Sequence, residues 1–396
     1  MRSCKKCLYT ENHPFGLEFD DKGICYGCII HEEKENLDWI KREKKLRKIL
    51  NAYKSDDYYD CIIPVSGGRD SFFIVDLIKN KYGMKPLLVA FNRIYNTKLG
   101  IRNLEILKSK LGCEIIINTI DQSFYKSLTM WSIENLGNIY WPYIAGSTVF
   151  PVQIAVNFRI PLIILGENQA IDQVGMFSHT DEIEMTRRYR KEFDLMGIEP
   201  EEINESKKIS KDNLLKLHYP KDQEIHDIGV RGIYLGNFIR WDTKRQHEKM
   251  LKKYKYLTLK QNNTFDNYSD PDCQIYNGLH DDLKFRKFGY SKITDHVCRE
   301  IRLKRISKKQ GLDYIDYFTQ QQKRENNLFF EWLGVSERYF WKRINNSKFK
   351  FIPTKYKSKK RKNPNHIHFV ENISSNKEQV NDLQFLVKGS MLKNES

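Results

Sequence analysis

The sequence lacks a long apolar segment. None of its apolar runs approaches the roughly eighteen residues that a membrane-spanning helix requires. The first residues, Met1 to Cys7, carry charge from the start and contain no apolar stretch of the kind found in signal peptides. We therefore expect no transmembrane segment and a cytoplasmic protein.

Acidic residues are scarcer than basic ones. The 396 residues include 67 Lys plus Arg against 51 Asp plus Glu, a formal net charge of +16. Such a balance favours anionic partners, and nucleic acids, nucleotides, sugar nucleotides and acidic sugars all qualify. Much of the charge lies in a basic run at 355–362, within a tail over 346–396 that we expect to be partly disordered. Because the charge is not concentrated at the predicted site, we do not expect nucleic acid as a partner. A solvated tail is the default, and docking to a membrane surface or a partner is the alternative.

Eight cysteines in a chain of this size fit a reducing compartment with a metal site better than a disulfide framework. Four of them form two Cys-x-x-Cys pairs, seventeen residues apart: Cys4, Cys7, Cys25 and Cys28. Two such knuckles can present four thiolates to one tetrahedral Zn²⁺. The residues around them include too few apolar side chains to fold unaided, so we predict a structural, zinc-ribbon-like module over 1–31. Redox dithiols and free structural cysteines are the alternatives.

The sequence has neither a Walker A motif nor the Gly-x-Gly-x-x-Gly dinucleotide fingerprint. It does have a Ser-Gly-Gly turn between an apolar run over 62–65 and an amphipathic run over 72–81. Two glycines let the backbone approach an anion closely and adopt positive φ, so successive amides can point at one phosphate group. The residues of this predicted phosphate loop are Ser66, Gly67, Gly68, Arg69, Asp70 and Ser71. An ordinary glycine turn is the alternative.

Apolar and amphipathic runs alternate beyond the loop. Further strands are predicted at Pro86–Phe91, Glu114–Asn118 and Ile160–Leu165, and a helix over Thr97–Leu111. This alternation predicts an α/β fold with a doubly wound parallel sheet over 56–190. A linker helix over 32–55 precedes it, and a mostly helical substrate or partner region over 191–345 follows.

Polar residues follow two of the predicted strands. Asn92 comes directly after the second strand, and Glu167 and Asn168 come after the fourth. Ligands of such sheets sit at the carboxyl ends of the strands, so these residues are expected near the phosphate loop. Glu167 could orient Mg²⁺ or bind ribose or substrate, and a polar residue that merely ends a strand is the alternative.

The loop sequence Ser-Gly-Gly-Arg-Asp-Ser resembles the PP-loop of ATP pyrophosphatases. A wider set of segments is similar to the N-acetyl sugar amidotransferases of that superfamily, of the pseudaminic acid and O-antigen type. The segments are the four cysteines, Gly-Glu-Asn at 166–168, Tyr-Leu-Gly at 234–236, Trp-Asp at 241–242, Lys-Phe-Gly-Tyr at 287–290 and Thr-Asp-His at 294–296. The resemblance runs from about Cys4 to about residue 345, and the segment over 92–96 is a weak version of the family's own. Without the resemblance, 279–302 looks like a solvated, charged helix behind a glycine turn.

The resemblance implies an enzyme with a PP-loop (HUP-like, adenine nucleotide alpha hydrolase-like) fold that uses ATP and Mg²⁺ to activate an N-acetyl group. The amide oxygen would attack the α-phosphate, pyrophosphate would leave, ammonia would add to the O-adenylated carbon, and AMP would depart to give an acetamidino group. Asp70, Ser71 and Glu167 would be catalytic, and Asn92 would join the phosphate loop in binding ATP. The residues expected to bind the sugar are Glu167, Asn168, Lys284, Lys287, Arg299 and Arg302.

The sequence has no evident glutaminase signature, so the resemblance implies a separate glutamine amidotransferase subunit that supplies ammonia. A tRNA-modifying PP-loop enzyme of the thiolation type is the main rival, and the net charge favours it. Such enzymes usually need catalytic cysteines near ATP, whereas Cys61 is expected in the core. A zinc-ribbon interaction protein whose loop has lost catalysis is the second rival.

Overall fold

The computed structural model of the protein describes residues 2–347, apart from residues 93, 95, 207, 268–271, 274 and 322–325. Most of the predicted tail, residues 348–396, lies outside the described residues. The five strands are β1 (Cys61–Pro64), β2 (Pro86–Phe91), β3 (Ile115–Asn118), β4 (Leu162–Leu165) and β5 (Arg231–Tyr234). The helices of the first half are α1 (Tyr26–Glu33), α2 (Trp39–Ala52), α3 (Arg69–Val75), α4 (Lys98–Leu111), α5 (Gln122–Leu136), α6 (Trp141–Phe158), α7 (Gln169–Asp172) and α8 (Arg187–Tyr189). The helices of the second half are α9 (Lys211–Leu215), α10 (Asp222–Ile228), α11 (Thr243–Tyr254), α12 (Asp281–Phe288), α13 (Lys292–Arg302), α14 (Lys308–Gln321), α15 (Asn327–Leu333) and α16 (Glu337–Asn345).

The strands form one sheet in the order β3-β2-β1-β4-β5, and every neighbouring pair is parallel. The chain proceeds from β1 outward to β3, and then returns to the other side of β1 with β4 and β5. Strand order therefore reverses between β1 and β4, as in a doubly wound fold. The predicted parallel α/β fold is confirmed.

Both faces of the sheet are buried. Ile62 and Val89 point into one core, which α5, α6 and the C-terminal helices α15 and α16 complete. Ile63 and Leu88 point into a second core with α2, α3, α4 and α11. Successive residues of a strand face opposite sides, so the uninterrupted apolar runs of β1 and β2 supply both cores.

Three segments differ from the sequence-based expectation. The sheet takes β5 from beyond residue 190, within the region predicted to be mostly helical. The predicted linker helix is interrupted between α1 and α2, because Asp38 caps α2 by accepting a hydrogen bond from the Lys41 amide at 2.9 Å. The helix after the phosphate loop begins at Arg69 and continues beyond α3 as a π-helical segment, Asp76–Lys81.

The N-terminal module packs against the C-terminal region rather than standing apart. Its core contains the four paired cysteines together with Cys298 of α13 and Tyr290. Two short antiparallel bridges, Ser3 with Thr10 and Phe19 with Cys25, are its only β-pairings among the described residues. In the described part of the chain, no helix is both long and apolar enough to cross a bilayer.

Candidate functional site

The phosphate loop connects β1, at the centre of the sheet, to α3. Gly67 has φ +78°, and a Cβ atom there would lie 2.8 Å from the carbonyl oxygen of Gly100, so this position requires glycine. The Ser66 amide donates a hydrogen bond to Ser71 Oγ at 3.1 Å, and the Gly68 amide donates one to Ser66 Oγ at 3.3 Å. The loop is thus held in shape by its own two hydroxyl groups, and both predicted serines have a defined structural part in it.

The loop and the segment after β4 flank the crevice where the strand order reverses, which is the usual ligand position in such a sheet. A cavity of about 200 Å³ opens at this position. Its walls come from three distant parts of the sequence. They include Arg69, Asp70, Glu167, Asp172, Trp241 and Asp242 from the α/β domain, Tyr9, His31 and Lys34 from the N-terminal part, and Lys292, Asp295, His296, Arg299 and Arg302 from α13.

Acidic side chains meet a lysine at one side of this cavity. Burial, together with the Asp172 carboxylate beside it, raises the pKa of Glu167 well above its usual range. Burial opposes ionisation of Asp172 as well, but the Lys34 ammonium pairs with this carboxylate and lowers its pKa. Asp172 is therefore already paired with a cation, whereas a bound cation would stabilise the ionised form of Glu167.

A buried carboxylate connects the phosphate loop to α13. Asp266 is fully buried and accepts hydrogen bonds from Arg299 Nη2 at 3.0 Å and from Arg69 Nη1 at 3.4 Å. His296 Nε2 lies 3.8 Å from the same carboxylate. Burial lowers the pKa of His296 to about 3, so the imidazole is neutral near pH 7. Arg69 therefore turns toward the C-terminal region.

The predicted sugar-binding residues divide into two groups. Arg299 and Arg302 line the cavity. Lys284 pairs with Asp295 of the cavity wall, and Lys287 Nζ donates a hydrogen bond to the Gly137 carbonyl at 2.5 Å, so both lysines have protein partners and neither lines the cavity itself. Asn168 Oδ1 accepts a hydrogen bond from the Ala170 amide at 3.0 Å and caps α7 instead of lining the cavity.

Asn92 also has protein partners. It lies at the end of β2, where its Nδ2 donates a hydrogen bond to Thr119 Oγ1 at 2.6 Å and its Oδ1 accepts one from Asn96 at 2.9 Å. It is not among the residues that line the cavity. Asp70 and Glu167 do line it, and the Asp70 side chain is 43% exposed.

The four paired cysteines form a cluster that fits a metal ion. All four are buried, and their Sγ atoms lie within 4.8 Å of one another. The Sγ atoms of Cys4 and Cys28 are 3.9 Å apart, and those of Cys7 and Cys25 are 3.6 Å apart. Tetrahedral Zn²⁺ with bonds of about 2.3 Å requires sulfur atoms about 3.8 Å apart. The donor set and spacing fit this ion, and zinc remains our prediction for the site.

Arg302 connects the cysteine cluster to the cavity. Its Nε and Nη2 atoms donate hydrogen bonds to the sulfur atoms of Cys28 and Cys25 at 3.4 and 3.5 Å. Its Nη1 donates to the carbonyls of Asp172 and Gln173, both at 2.8 Å. Arg302 was predicted to bind the sugar, and the structure surrounds it with protein acceptors. Its hydrogen bonds hold the chain at Asp172 and Gln173, part of the cavity wall, next to the cysteine cluster.

Sequence reasoning missed several cavity residues. Lys34 and Asp172 lie in segments without a recognisable motif, and His31 lies on α1, the short helix that contains Cys28. Asp266, the partner of the cavity residues Arg69 and Arg299, also lies in a segment without a motif. Only spatial proximity identifies them. Trp241 belongs to the Trp-Asp segment that resembles the amidotransferase family, but the sequence around it does not indicate that it lines the cavity.

Residues 262–371 match the family described as LPS biosynthesis protein WbpG-like, C-terminal domain. The matched region includes Asp266 and the whole of α13, so it contributes directly to the cavity wall. A protein of Methanocaldococcus jannaschii, described only as uncharacterized, is 32% identical over 101 residues, which is 25% of this chain and 36% of that protein. The chain thus spans about a third of the length of this relative.

Three solved structures share a weak overall likeness. The NH3-dependent NAD synthetase of Campylobacter jejuni, in complex with the nitrate ion, has a TM-score of 0.35 at 13% identity, over 72% of this chain and 97% of that one. NMN synthetase of Francisella tularensis has a TM-score of 0.28 at 15% identity, over 57% and 99%. The U34-tRNA thiolase of Methanococcus maripaludis with its [4Fe-4S] cluster has a TM-score of 0.27 at 12% identity, over 88% and 99%. Such scores are too low to bear on this chain's activity, and its fold follows from its own sheet order. The chain therefore combines a parallel α/β domain, whose first loop has a sequence that resembles the PP-loop, with a C-terminal segment that matches the WbpG-like family of LPS biosynthesis proteins.

Proposed function

We propose that the protein is an ATP-dependent N-acetyl sugar amidotransferase of surface polysaccharide biosynthesis. One observation carries the proposal. The PP-loop residues Arg69 and Asp70 and the α13 residues of the WbpG-like segment line one cavity, and Asp266 joins the two parts through Arg69 and Arg299. A nucleotide held by the loop and a substrate held by the C-terminal segment would therefore meet in the same space.

The chemistry begins with an unreactive amide. Nitrogen donates electrons into an N-acetyl carbonyl, so its oxygen must become a leaving group before nitrogen can replace it. In our proposal, the amide oxygen attacks the α-phosphate of ATP and pyrophosphate leaves. Ammonia then adds to the O-adenylated carbon and loses a proton, and the C–O bond to AMP breaks, so that AMP departs and an acetamidino group remains. The protein supplies positioning and charge stabilisation, which dominate catalysis in phosphate transfer.

The loop is suited to hold the pyrophosphate part of ATP. Its geometry is fixed before any ligand arrives, because Ser66 and Ser71 bond to loop amides and Gly67 admits no side chain. Preorganised donors cost little reorganisation when charge develops. In our proposal Asp70 and Glu167 hold the Mg²⁺ that accompanies ATP. Both carboxylates line the cavity, and a cation there would lower the pKa of Glu167, which burial and the nearby Asp172 carboxylate raise.

The basic residues on α13 suit an anionic sugar or a nucleotide carrier. Arg299 lies at the cavity wall about a fifth exposed, with its Nε on Glu300 at 2.9 Å and its Nη2 on Asp266 at 3.0 Å, so a carboxylate or phosphate would meet its Nη1 group. A nonulosonic acid or a nucleotide-linked sugar carries such a group. We further propose that a separate glutaminase subunit supplies ammonia, because ammonia is mostly protonated near neutral pH.

Enzymes of the rival tRNA-thiolation type usually need a cysteine that carries sulfur beside ATP. The cavity lining includes none of the eight cysteines, all of which lie in described parts of the chain. Cys61 and Cys113 lie in the core beneath the sheet, Cys273 lies in the opposite core, and Cys298 lies behind the cysteine cluster. This arrangement favours amidotransfer over thiolation.

The test combines the full chain with ATP, Mg²⁺, ammonium and a panel of di-N-acetylated sugars and nucleotide sugars. The proposal predicts sugar-dependent AMP and pyrophosphate, together with a sugar product whose mass shows one oxygen replaced by NH. A parallel reaction contains bulk tRNA in place of sugar. AMP release that depends on tRNA and not on any sugar would contradict the proposal.

A further inference from the structure

Two residues of the cavity wall each have a buried polar atom without a hydrogen-bond partner in the described part of the chain. The atoms are Nε2 of His31 and Nε1 of Trp241. Both side chains are more than nine-tenths buried, with 8% and 3% of their surface exposed, and both line the cavity. Buried polar groups are almost always hydrogen-bonded in native proteins, so partners for these two atoms are expected from outside the chain.

The His31 imidazole and the Trp241 indole are neutral, whereas several neighbouring side chains in the cavity wall are cationic. Arg69, Arg299 and Lys292 carry positive charge at the cavity wall, and both guanidinium groups donate to the Asp266 carboxylate. Trp241 offers only a neutral N–H donor. Burial, with smaller contributions from the Lys34 and Arg302 cations, lowers the pKa of His31 to about 3, so its imidazole is also neutral. Neutral hydrogen-bonding groups suit hydroxyl and amide groups, whereas charged ones suit phosphate and carboxylate.

The position of His31 depends on the cysteine cluster. It lies on α1, one turn after Cys28, and Cys25 is the residue before that helix. The start of α1 packs closely against the segment that follows α7, residues 173–175. A Cβ atom on Gly27 would lie 2.3 Å from the Gln173 carbonyl oxygen, and one on Gly175 would lie 2.3 Å from the Tyr26 carbonyl oxygen. The metal module therefore fixes His31 relative to the α/β domain.

Trp241 is fixed from the α/β side. Its ring packs edge-on against Phe73 of α3, with centroids 5.4 Å apart. Its Cη2 would lie 3.1 Å from a Cβ atom on Gly166, so the ring approaches the chain directly before Glu167. His31 and Trp241 thus enter one cavity from two independently packed elements.

We propose that His31 and Trp241 are specificity residues that bind the uncharged hydroxyl and acetamido groups of the sugar. This proposal rests on the proposed amidotransferase function and names the sugar contacts within it. It assigns the N-terminal metal module a direct part in substrate recognition, because that module delivers His31.

The test measures steady-state kinetics with the di-N-acetylated sugar that best supports AMP release by the unaltered chain. Trp241→Phe removes the N–H donor and keeps an aromatic ring. His31→Gln places an amide near the Nε2 position, whereas His31→Asn places it near Nδ1. We expect KM for the sugar to rise about tenfold in Trp241→Phe and His31→Asn, and by much less in His31→Gln. KM for ATP should stay within about twofold.

A second readout does not depend on turnover. Sugar binding beside Trp241 should change tryptophan fluorescence, and Trp241→Phe should lose most of that change. Metal content and the thermal midpoint of each variant show whether it folds. The matched controls are His226→Gln, an exposed histidine of α10, and Trp341→Phe on α16, neither of which lines the cavity.

The outcomes separate the two proposals. Absence of sugar-dependent AMP release by the unaltered chain would overturn the proposed function. Sugar-dependent release with an unchanged sugar KM in folded His31→Asn and Trp241→Phe would overturn this inference alone. A rise in KM for ATP instead of the sugar would overturn it as well, because the two residues would then contact the nucleotide.

Discussion

Replacement of Asp266 by Asn tests whether the C-terminal segment holds the phosphate loop in place. The carboxylate of Asp266 accepts hydrogen bonds from Arg299 at 3.0 Å and Arg69 at 3.4 Å, and it is fully buried. Asparagine keeps the shape of the side chain and removes its charge. The two guanidinium groups would then lose the buried anion between them and keep their second partners, Asp70 at 3.5 Å from Arg69 and Glu300 at 2.9 Å from Arg299.

The expected cost follows from burial. Removal of one partner from a fully buried ion pair costs about 3–5 kcal/mol, because a charge is left uncompensated. The Arg69 and Arg299 side chains are 18% and 21% exposed, so water screens part of this cost. We therefore expect Asp266→Asn to lower the free energy of unfolding by about 2–3 kcal/mol. KM for ATP should also rise, because Arg69 adjoins Asp70 in the loop.

The loss should depend on pH in one direction. Burial opposes ionisation of Asp266, but His296, Arg69 and Arg299 lower the pKa of this carboxyl group below its usual range. A carboxyl group with a lowered folded-state pKa contributes its full stability above the unfolded-state value of about 3.9. That contribution is lost as the pH falls further, through the folded-state pKa. The difference between the two proteins should stay constant from about pH 8 to 5 and shrink below about pH 4.

Urea unfolding followed by tryptophan fluorescence at several pH values measures this difference. Asp227→Asn is the matched control, because Asp227 is 59% exposed, and it should change the free energy of unfolding by less than about 0.5 kcal/mol. A loss of less than about 1 kcal/mol in Asp266→Asn, or a difference that vanishes already between about pH 7 and 5, would refute the reasoning.

Three further predictions concern the loop and the metal centre. Asp70→Ala should abolish pyrophosphate release without changing metal content, because Asp70 lines the cavity far from the cysteines in sequence; retained release would contradict its assigned part. Gly67→Ala should raise KM for ATP at least tenfold, because residue 67 has a φ of +78° and its new Cβ atom would press on the Gly100 carbonyl. An unchanged KM would show that the turn tolerates a side chain. Removal of the metal by a strong chelator should lower the thermal midpoint and release α1, detected as faster amide hydrogen exchange over 26–33; protection that is unchanged in demonstrably metal-free protein would mean that packing alone holds the module.

Local sequence patterns predicted the centre of the fold. The second strand has its predicted bounds, Pro86–Phe91, because a fully apolar run between a polar segment and a turn has few alternatives. The phosphate loop was recognisable because its glycines and serines act on neighbours only a few residues away. The cysteine cluster was recognisable because metal geometry restricts ligand spacing.

Other features escaped prediction because their partners are remote in sequence. β5 carries the buried Arg231, whose charge breaks the apolar pattern and pairs with Glu184 at 2.7 Å. Asp266 and His31 have no local signal, since their surroundings come from segments far away along the chain. Lys284 and Lys287 were predicted to bind the sugar because of their charge. In the structure, Lys284 pairs with Asp295, and Lys287 donates a hydrogen bond to the Gly137 carbonyl.

Transfer of oxygen from the sugar to AMP tests the central claim most directly. The full chain is incubated with ATP, Mg²⁺, ammonium and a di-N-acetylated sugar whose N-acetyl carbonyl carries oxygen-18, and the AMP is analysed by mass spectrometry. If the amide oxygen attacks the α-phosphate, each AMP carries one oxygen-18 atom in its phosphate group, and the acetamidino product carries none at that carbon. Unlabelled AMP, with the label retained in the sugar, would contradict the account.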